Sequence, residues 1–583
     1  MAVSTSAPAG AKKSGLVTFT INIEGEAIAK TFGVMSIVVM KEVNKISSAN
    51  IIIQDGSASK QDFAASNEDI FIPGKEIEIL AGYRSQEDTI FKGIIVKQGI
   101  KIKSNGSSML VLECRDKAVK LTIGQKNKYF IDKTDSDAIT EIVDTYGLEN
   151  DIEATTVPHT DLVQFASTDW DFILSRIDAN GKICMVDDGK ITVKTPSLDV
   201  EPVSTLSYGS TILDFDAAID ARDQYQAVKA FAWDPSKQEL LEIDGTDPAI
   251  NGNGNLAPSD LATVIGLEHL TLSHTGMLAE DELQAWADAQ FLKKQLAKTR
   301  GKVGYMGTVT IKPGDIIELA GLGERMNGNV FVAGVRHEIS GGTWKTDAQF
   351  GLSPEWFTQT YRVSQLPASG VLPAIQGLQI GIVTQLKEDP DGEDRILVKL
   401  PIISNDDVGI WARISCLDAG NNRGSFFRPE IGDEVVVGFL NNDPRDPIVL
   451  GALNSSSKPS PLTATDENHE KGYISRSKMK LIFNDDKKSI KMETPAGKIF
   501  SMDEDAGEIK LEDENGNKII LNSKGITIES KKKIILKTND DIEVNGKNIK
   551  NKAQASFKAD GSAGIELTSS AIAKLKGSLV QIN

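Results

Sequence analysis

The sequence contains residue types that could do chemistry, but not at the spacings that chemistry requires. His337 lies between Arg336 and Glu338 in an alternating run, which favours an interface or strand-surface histidine over a catalytic one. The other histidines lack the short spacing of metal ligands: His159, His269, His274 and His469. We therefore expect no catalytic residue and no metal site here.

Three further motifs resemble binding sites only in part. Residues 389–394 are acidic, as in a calcium loop, but lack its ligand spacing and its final glutamate, so they predict a hairpin turn. Gly321 and Gly323 depart from the dinucleotide-binding spacing and predict turns. Lysines 531–533 could attract an anionic surface, but the alternating apolar residues after them favour a solvated edge or bend. No cofactor is expected.

Composition limits the classes of protein that remain. The chain has 583 residues, a hydrophobic fraction of 40% and a net charge of -18, which predicts several folded domains and argues against a nucleic-acid partner. Its three cysteines, Cys114, Cys184 and Cys416, are too far apart for a disulfide framework and favour a reducing compartment. No membrane span or signal peptide is evident, so we expect assembly in the cytoplasm.

The elements that would position any site are mostly β-strands. A flexible terminus is predicted for residues 1–14, then β-structure with helices near 136–146, 167–177 and 279–298 up to residue 365. Trp170 and Trp411 are expected in cores. Prolines and small residues predict linkers at 366–377 and 455–470. Between them, residues 378–454 contain five short strand-like runs, which suggest an OB-type barrel.

The C-terminal part, residues 471–583, contains an internal repeat. Apolar residues recur every seven or eight positions from Ile519, and every nine or ten positions upstream through Leu481, Ile490, Ile499 and Ile509. Many of the regular anchors have an apolar partner two positions later, as in a strand with one buried face. We expect an antiparallel meander upstream and one short strand with a bend for each regular repeat.

One such repeat cannot bury enough apolar surface to offset the entropy of ordering it. Its strands must pair with later coils of the same chain or with neighbouring chains, and periodicity alone does not distinguish these. The residues predicted to form the core of this tail are these: Ile519, Ile526, Ile528, Ile534, Leu536, Ile542, Val544, Ile549, Phe557, Ile565, Leu567 and Ile572.

Three segments resemble one known family. Residues 411–413, 429–435 and 443–447 closely resemble the OB domain of VgrG-type spike proteins, which belong to type VI secretion systems, extracellular injection particles and contractile phage tails. Residues 167–173, and residues 313–339 in part, resemble the hub of that family. The resemblance spans nearly the whole chain and implies a mainly β fold with minor helices: paired hub barrels, an OB-fold barrel and an intertwined trimeric β-helix.

The resemblance also implies a function. The chain would be a non-enzymatic homotrimeric spike whose hub, residues 15–365, adapts a six-fold inner tube ring and baseplate to a three-fold needle that punctures a target envelope. It further implies a PAAR-type tip protein at the C-terminal end. Residues 455–470 are too few for the enzyme that phage relatives insert there, and because the repeats run almost to residue 583 we expect any cargo effectors to be separate proteins. The predicted contacts with the tip are Leu579, Val580, Gln581, Ile582 and Asn583.

The alternative is a tailspike enzyme that cleaves surface glycan. Such an enzyme needs two carboxylates about 5–10 Å apart in a cleft. Asp540, Asp541 and Glu543 are available, but their surroundings favour a turn.

Overall fold

The computed structural model describes residues 15–250 and 252–582. The chain divides into two compact units: residues up to 376 together with 440–444, and residues 377–439 together with those from 445 onward. The predicted flexible terminus, residues 1–14, lies outside the described residues. The two units are described separately below.

In the first unit, alternating apolar residues build one large, mainly antiparallel sheet. Strands that alternate in this way bury one face against a common core. The first strands in chain order are β1 Val17–Ile23, β2 Glu26–Ala27, β3 Gly33–Glu42, β4 Ser48–Gln54, β5 Glu76–Tyr83, β6 Gln86–Ile102 and β7 Ser108–Arg115. Their core includes Ile37, Ile51 and Ile79.

Two helices with small sheets follow as an insertion. Thr134 and Thr168 cap the two helices by accepting backbone N–H bonds, which fixes where each helix begins. The elements are β8 Lys126–Thr134, α1 Asp135–Asp144, β9 Glu149–Ile152, β10 Pro158–Ser167, α2 Asp169–Ala179, β11 Ile183–Asp187 and β12 Lys190–Lys194. The predicted helices near 136–146 and 167–177 are confirmed.

The remaining strands of this unit complete the large sheet and add a second insertion. The elements are β13 Ser204–Ser207, β14 Ile212–Ile219, β15 Val228–Asp234, β16 Glu239–Asp244, α3 Pro258–Ile265, β17 Leu270–His274, α4 Glu280–Leu296, β18 Thr299–Met306, β19 Ile316–Ala320, β20 Gly328–Ser340, β21 Thr343–Phe350 and α5 Phe357–Thr360. Short 3-10 helices lie at Asp69–Phe71, Lys117–Thr122 and Pro367–Gly370. The helix predicted near 279–298 is confirmed.

The main sheet has thirteen strands, and β20 joins its two halves. β20 pairs with β3 on one side and with β21 on the other. A second apolar core, which includes Val303, Val332 and Phe350, lies on the half built from β18 to β21. Each half of the sheet therefore has a core of its own.

The second unit begins with a closed barrel, whose five strands pair in the order β22, β23, β24, β28, β27. The strands are β22 Gln379–Gln385, β23 Ile396–Lys399, β24 Ile410–Ile414, β27 Glu434–Phe439 and β28 Pro447–Ala452, with a small hairpin of β25 Ala419–Gly420 and β26 Arg423–Gly424 and a 3-10 helix at Leu440–Asn442 in the chain between β27 and β28. Val383, Ile396, Val398, Val435 and Val437 fill the barrel. The prediction of a mainly β fold with a five-stranded barrel is confirmed.

After the barrel the chain forms an antiparallel meander, as predicted. Seven five-residue strands pair in sequence order: β29 Glu470–Ile474, β30 Lys480–Asn484, β31 Ser489–Glu493, β32 Ile499–Asp503, β33 Glu508–Glu512, β34 Lys518–Asn522 and β35 Gly525–Glu529. Gly497 and Gly507 supply positive φ angles at two of the turns. We call residues 470–529 the meander.

Residues 530–582, which we call the distal segment, contain no strand or helix. The sequence predicted that regular repeats begin at Ile519, but β34 and β35 still belong to the meander, so that starting point is wrong. The predicted strand-and-bend repeats beyond residue 530 find no pairing partner within one chain. A strand needs a neighbour about 4.8 Å away to complete its hydrogen bonds.

Candidate self-association interface

His337, a catalytic candidate that the sequence disfavoured, is a core residue. Its Nδ1 lies 2.8 Å from Oγ1 of Thr346, and its ring packs near Trp344. Burial, with a smaller contribution from Lys41, lowers the pKa of His337 to about 3. The prediction of an interface or strand-surface histidine is wrong, because β20 is an interior strand and this side of it is covered.

The acidic loop at 389–394 binds the guanidinium group of the adjacent Arg395. Nε of Arg395 donates to both carboxylate oxygens of Asp389, each at 3.1 Å, and backbone N–H groups donate to the same carboxylate. These bonds hold the pKa of Asp389 well below its usual range. The loop connects β22 to β23, which places it at a hairpin turn. No group of three His, Cys, Asp or Glu side chains suited to a metal occurs in the described part of the chain.

The remaining sequence candidates have structural positions. Trp170 is buried as expected, whereas Trp411 is only half-buried, so the expectation of a core position for Trp411 is wrong. Gly321 and Gly323 have positive φ angles between β19 and β20. The alternative enzyme hypothesis relied on three acidic residues. They are exposed in the distal segment: Asp540, Asp541 and Glu543.

The strongest surface feature is one apolar face of the meander. Cross-strand pairing places two side chains of each of the six strands β30–β35 on this face, and all twelve are apolar. One row follows the order Tyr473, Leu481, Met492, Phe500, Leu511, Ile519 and Ile528, and the second follows Phe483, Ile490, Met502, Ile509, Leu521 and Ile526. Phe427 contacts the face at Tyr473, with ring centroids 4.9 Å apart, but most of the face stays open: Ile519 is 37% exposed and Ile526 71%.

An open groove of about 900 Å³ runs along this face. Its lining includes the whole first row, none of the second row, and the ion pairs Lys480–Glu493 and Lys518–Glu529 at the same strand ends. It reaches Ile534 at the start of the distal segment. Contiguous apolar surface of this extent is unusual on an isolated protein and marks a contact surface.

The opposite face of the meander is polar and internally paired. Lys480 lies opposite Glu493, and Lys518 lies opposite Glu529, with Nζ–carboxylate distances of 3.4 and 3.2 Å. Counting the turns and both faces, seven of the ten lysines of the meander pair with a carboxylate: Lys471, Lys480, Lys488, Lys491, Lys498, Lys510 and Lys518. The meander therefore has one polar face suited to water and one apolar face that the rest of the chain leaves largely exposed.

Sequence reasoning found only part of this face. Ile519, Ile526 and Ile528 belong to it, but Ile499 lies opposite Glu493 and Glu512 and so faces the polar side. The residues that carry the face on that strand are Phe500 and Met502. The two-residue alternation of Phe500 and Met502 is a signal that could have identified the face on this strand; the step length, which led to Ile499, could not.

The other predicted core residues lie in the distal segment and are all exposed within one chain. They range from 52% exposed at Ile534 to 87% at Leu567. The full set is Ile534, Leu536, Ile542, Val544, Ile549, Phe557, Ile565, Leu567 and Ile572. The structure of one chain does not bring them together.

The predicted tip-contact residues also lie on the surface. Leu579, Val580, Gln581 and Ile582 are exposed. Asn583 lies outside the described residues. Of the helices described, none is both long and apolar enough to cross a membrane.

Two family models match this chain, one over most of the first unit and one over the barrel. A family model described as the Alg8 N-terminal domain matches residues 13–341, more than half of the chain. The chain belongs to this family. A second model, the type VI secretion system/phage-baseplate injector OB domain, matches residues 379–453, the segment that forms the closed barrel.

Curated relatives are spike proteins. The chain is 28% identical over 193 residues to the type VI secretion system spike protein VgrG1b of Pseudomonas aeruginosa, and 32% identical over 127 residues to VgrG1a of the same organism. These alignments cover 31% and 21% of this chain but only 25% and 19% of the relatives. The resemblance to VgrG-type spike proteins is confirmed.

Among solved structures, a tail protein from Neisseria meningitidis MC58 is similar with a TM-score of 0.44 and 17% identity. That similarity covers 59% of this chain and 99% of the tail protein.

Proposed function

We propose that the chain is the subunit of a homotrimeric spike in a contractile injection system. In this proposal residues 15–365 form a hub that caps the inner tube and adapts its six-fold symmetry to three-fold, residues 378–454 form the OB barrel, and residues 471–583 form the needle. The similarity to VgrG spike proteins supports a spike role. The needle would act mechanically by puncturing the target envelope.

One observation carries the proposal: the tail is amphipathic but incomplete within one chain. The meander carries thirteen apolar side chains on one face, ten of them exposed and three half-buried, and the distal segment exposes every predicted core residue. Exposed apolar residues and unpaired backbone groups over some fifty residues are both unfavourable in water. Other copies of the same chain carry the same apolar residues and the same unpaired backbone groups. Association of copies can therefore bury the apolar residues and pair the backbone groups.

Closure explains why a small symmetric assembly suits this tail. Each meander has a single apolar face, so meanders from several copies can turn these faces toward one axis and keep the ion-paired faces in water. Beyond Glu529, strands from different copies can alternate along the axis and pair with one another. A closed assembly of this kind has no open lateral edge, which favours a rigid rod. The resemblance to the spike family favours three copies.

The mode of action needs no reaction at this tail. We propose that the chain is not an enzyme, that Leu579–Asn583 contact a PAAR-type tip protein, that the hub contacts the inner tube ring and baseplate, and that cargo effectors are separate proteins. The spike would assemble in the cytoplasm and leave as part of the injection particle. The curated relatives are spike proteins of a secretion system, which supports this route.

A mass measurement tests the trimer. Light scattering of the full-length protein should give three times the 62.9 kDa of one chain, and a variant truncated after residue 470 should lose most of that association. A full-length protein that stays monomeric at micromolar concentration contradicts the proposal.

A further inference from the structure

The distal segment has a second unusual property, an excess of positive charge that it cannot neutralise. Residues 530–582 contain ten lysines but only five aspartates and glutamates. The meander, by contrast, contains eleven basic and twelve acidic residues. Whatever the arrangement of the copies, five positive charges per chain remain without an acidic partner in this segment.

Ion pairing shows the same contrast. Seven of the ten lysines of the meander pair with a carboxylate, but in the distal segment Lys558 alone does so, with Asp560 at 3.0 Å. The other nine have no carboxylate within 4 Å in the described chain, and all are exposed: Lys531, Lys532, Lys533, Lys537, Lys547, Lys550, Lys552, Lys574 and Lys576.

Alternation places several of these lysines away from the apolar side. Lys533 and Lys537 flank the pair Ile534 and Leu536, so they point to the opposite face in an extended chain. Lys550 and Lys558 likewise each follow a predicted core residue. Charges in these positions stay on the outside when the apolar residues are covered.

We infer that the distal segment binds a phosphate-bearing anionic membrane surface through this lysine excess. The inference rests on the proposed function, in which this segment is the part of the needle that meets the target envelope. A lysine next to an anionic leaflet strengthens binding by about fivefold, and the effect falls off within a Debye length of about 8–10 Å. The charge of the distal segment therefore acts locally, although residues 1–455 carry 63 acidic against 42 basic residues.

The charge distribution also gives the surface contact a direction. An anionic surface repels the acidic body and attracts only the C-terminal end of the chain. Each copy bundled side by side adds ten lysines and five acidic residues in this segment, so the net local charge grows by five per copy. The spike would then approach the envelope with the needle first, before any force is applied.

Vesicle binding tests the inference with the full-length protein. Vesicles of phosphatidylcholine mixed with phosphatidylglycerol should bind at low salt, and binding should be lost at about 0.5 M salt. The triple variant Lys547→Gln, Lys550→Gln, Lys552→Gln should bind at least tenfold more weakly. The matched control Lys478→Gln, Lys487→Gln, Lys524→Gln removes three unpaired lysines from the meander and should change binding less than twofold.

Several results would overturn the inference. These are equal binding to phosphatidylcholine alone, equal losses in both triple variants, or displacement of the protein by inorganic phosphate at millimolar concentration. Binding of a DNA fragment without binding of anionic vesicles would assign the lysines to nucleic acid instead. The mass of each protein is measured in parallel, so a trimer that ignores vesicles refutes only this inference, whereas a monomer refutes the proposed spike.

Discussion

In the barrel, β-branched residues such as Val398 and Val435 are fully buried, whereas in the distal segment Ile534, Ile542 and Ile565 are more than half exposed. The residue types are similar and both regions consist of short extended runs. The barrel closes on itself, so each strand finds two neighbours within the chain. The distal segment finds none. A strand-forming sequence therefore buries its apolar residues within one chain only where the same chain also supplies the neighbouring strands.

The largest effect should come from a charge placed in the distal segment. We expect Ile542→Asp to abolish the trimer at micromolar concentration, because each copy would bury an unpaired carboxylate near the same axis and each such burial costs several kcal/mol. Light scattering measures the loss.

The matched control for this charge is Asn545→Asp. It adds the same charge three residues away, on the outward side according to the two-residue alternation. The control should remain trimeric. A trimer that tolerates Ile542→Asp as well as Asn545→Asp would show that Ile542 lies outside the interface.

A cavity in the barrel should have a smaller effect that does not depend on protein concentration. Ile396 is fully buried, so Ile396→Ala should lower the free energy of unfolding of the barrel by about 2–5 kcal/mol. Hydrogen exchange of the barrel amides at two protein concentrations measures it. Ile402→Ala removes the same atoms at a position that is 80% exposed and should cost less than about 0.5 kcal/mol.

If the loss of stability caused by Ile396→Ala depended on protein concentration, the barrel core would also be shared between copies. The contrast between a barrel complete within one chain and an incomplete distal segment would then be wrong. Equal losses of stability in Ile396→Ala and Ile402→Ala would also contradict the contrast, because they would show that burial of Ile396 within one chain does not stabilise the barrel.

The smallest predicted effect is a pH dependence of the first unit. The folded pKa of His337, about 3, lies below the ordinary value of 6.5, so the unfolded chain takes up the proton first. His337 therefore leaves stability unchanged above about pH 6.5 and lowers it as the pH falls from there toward 3. At pH 5 the loss is about 2 kcal/mol relative to pH 7.

Urea unfolding followed by tryptophan fluorescence suits this test, since five of the six tryptophans lie in the first unit. His337→Gln should flatten the pH dependence between pH 7 and pH 5 by this amount. His469→Gln, at an exposed position, should keep the slope of the natural protein. An unchanged slope in His337→Gln would contradict the buried neutral state of His337.

Local sequence patterns predicted most of the helices and strands. The burial of individual side chains depended on contacts with elements distant in sequence, which the patterns could not predict. Helices α1, α2 and α4 and the five barrel strands follow from apolar periodicity and capping residues. The position of His337 could not be predicted, because its burial depends on strands β3 and β21 and on Trp344. Trp411 and Ile499 were misplaced for a related reason: apolar character alone does not say which face of a strand is covered. The proposed domain boundaries and the role of Leu579–Asn583 stay predictions.

Hydrogen exchange of the distal segment tests the central claim most directly, because its backbone amides have no strand partner within one chain. If copies of the chain complete the ladder, the amides of residues 530–582 should be protected for hours in the full-length protein and should lose that protection in Ile542→Asp. Complete exchange within seconds in a protein of monomeric mass would contradict the account.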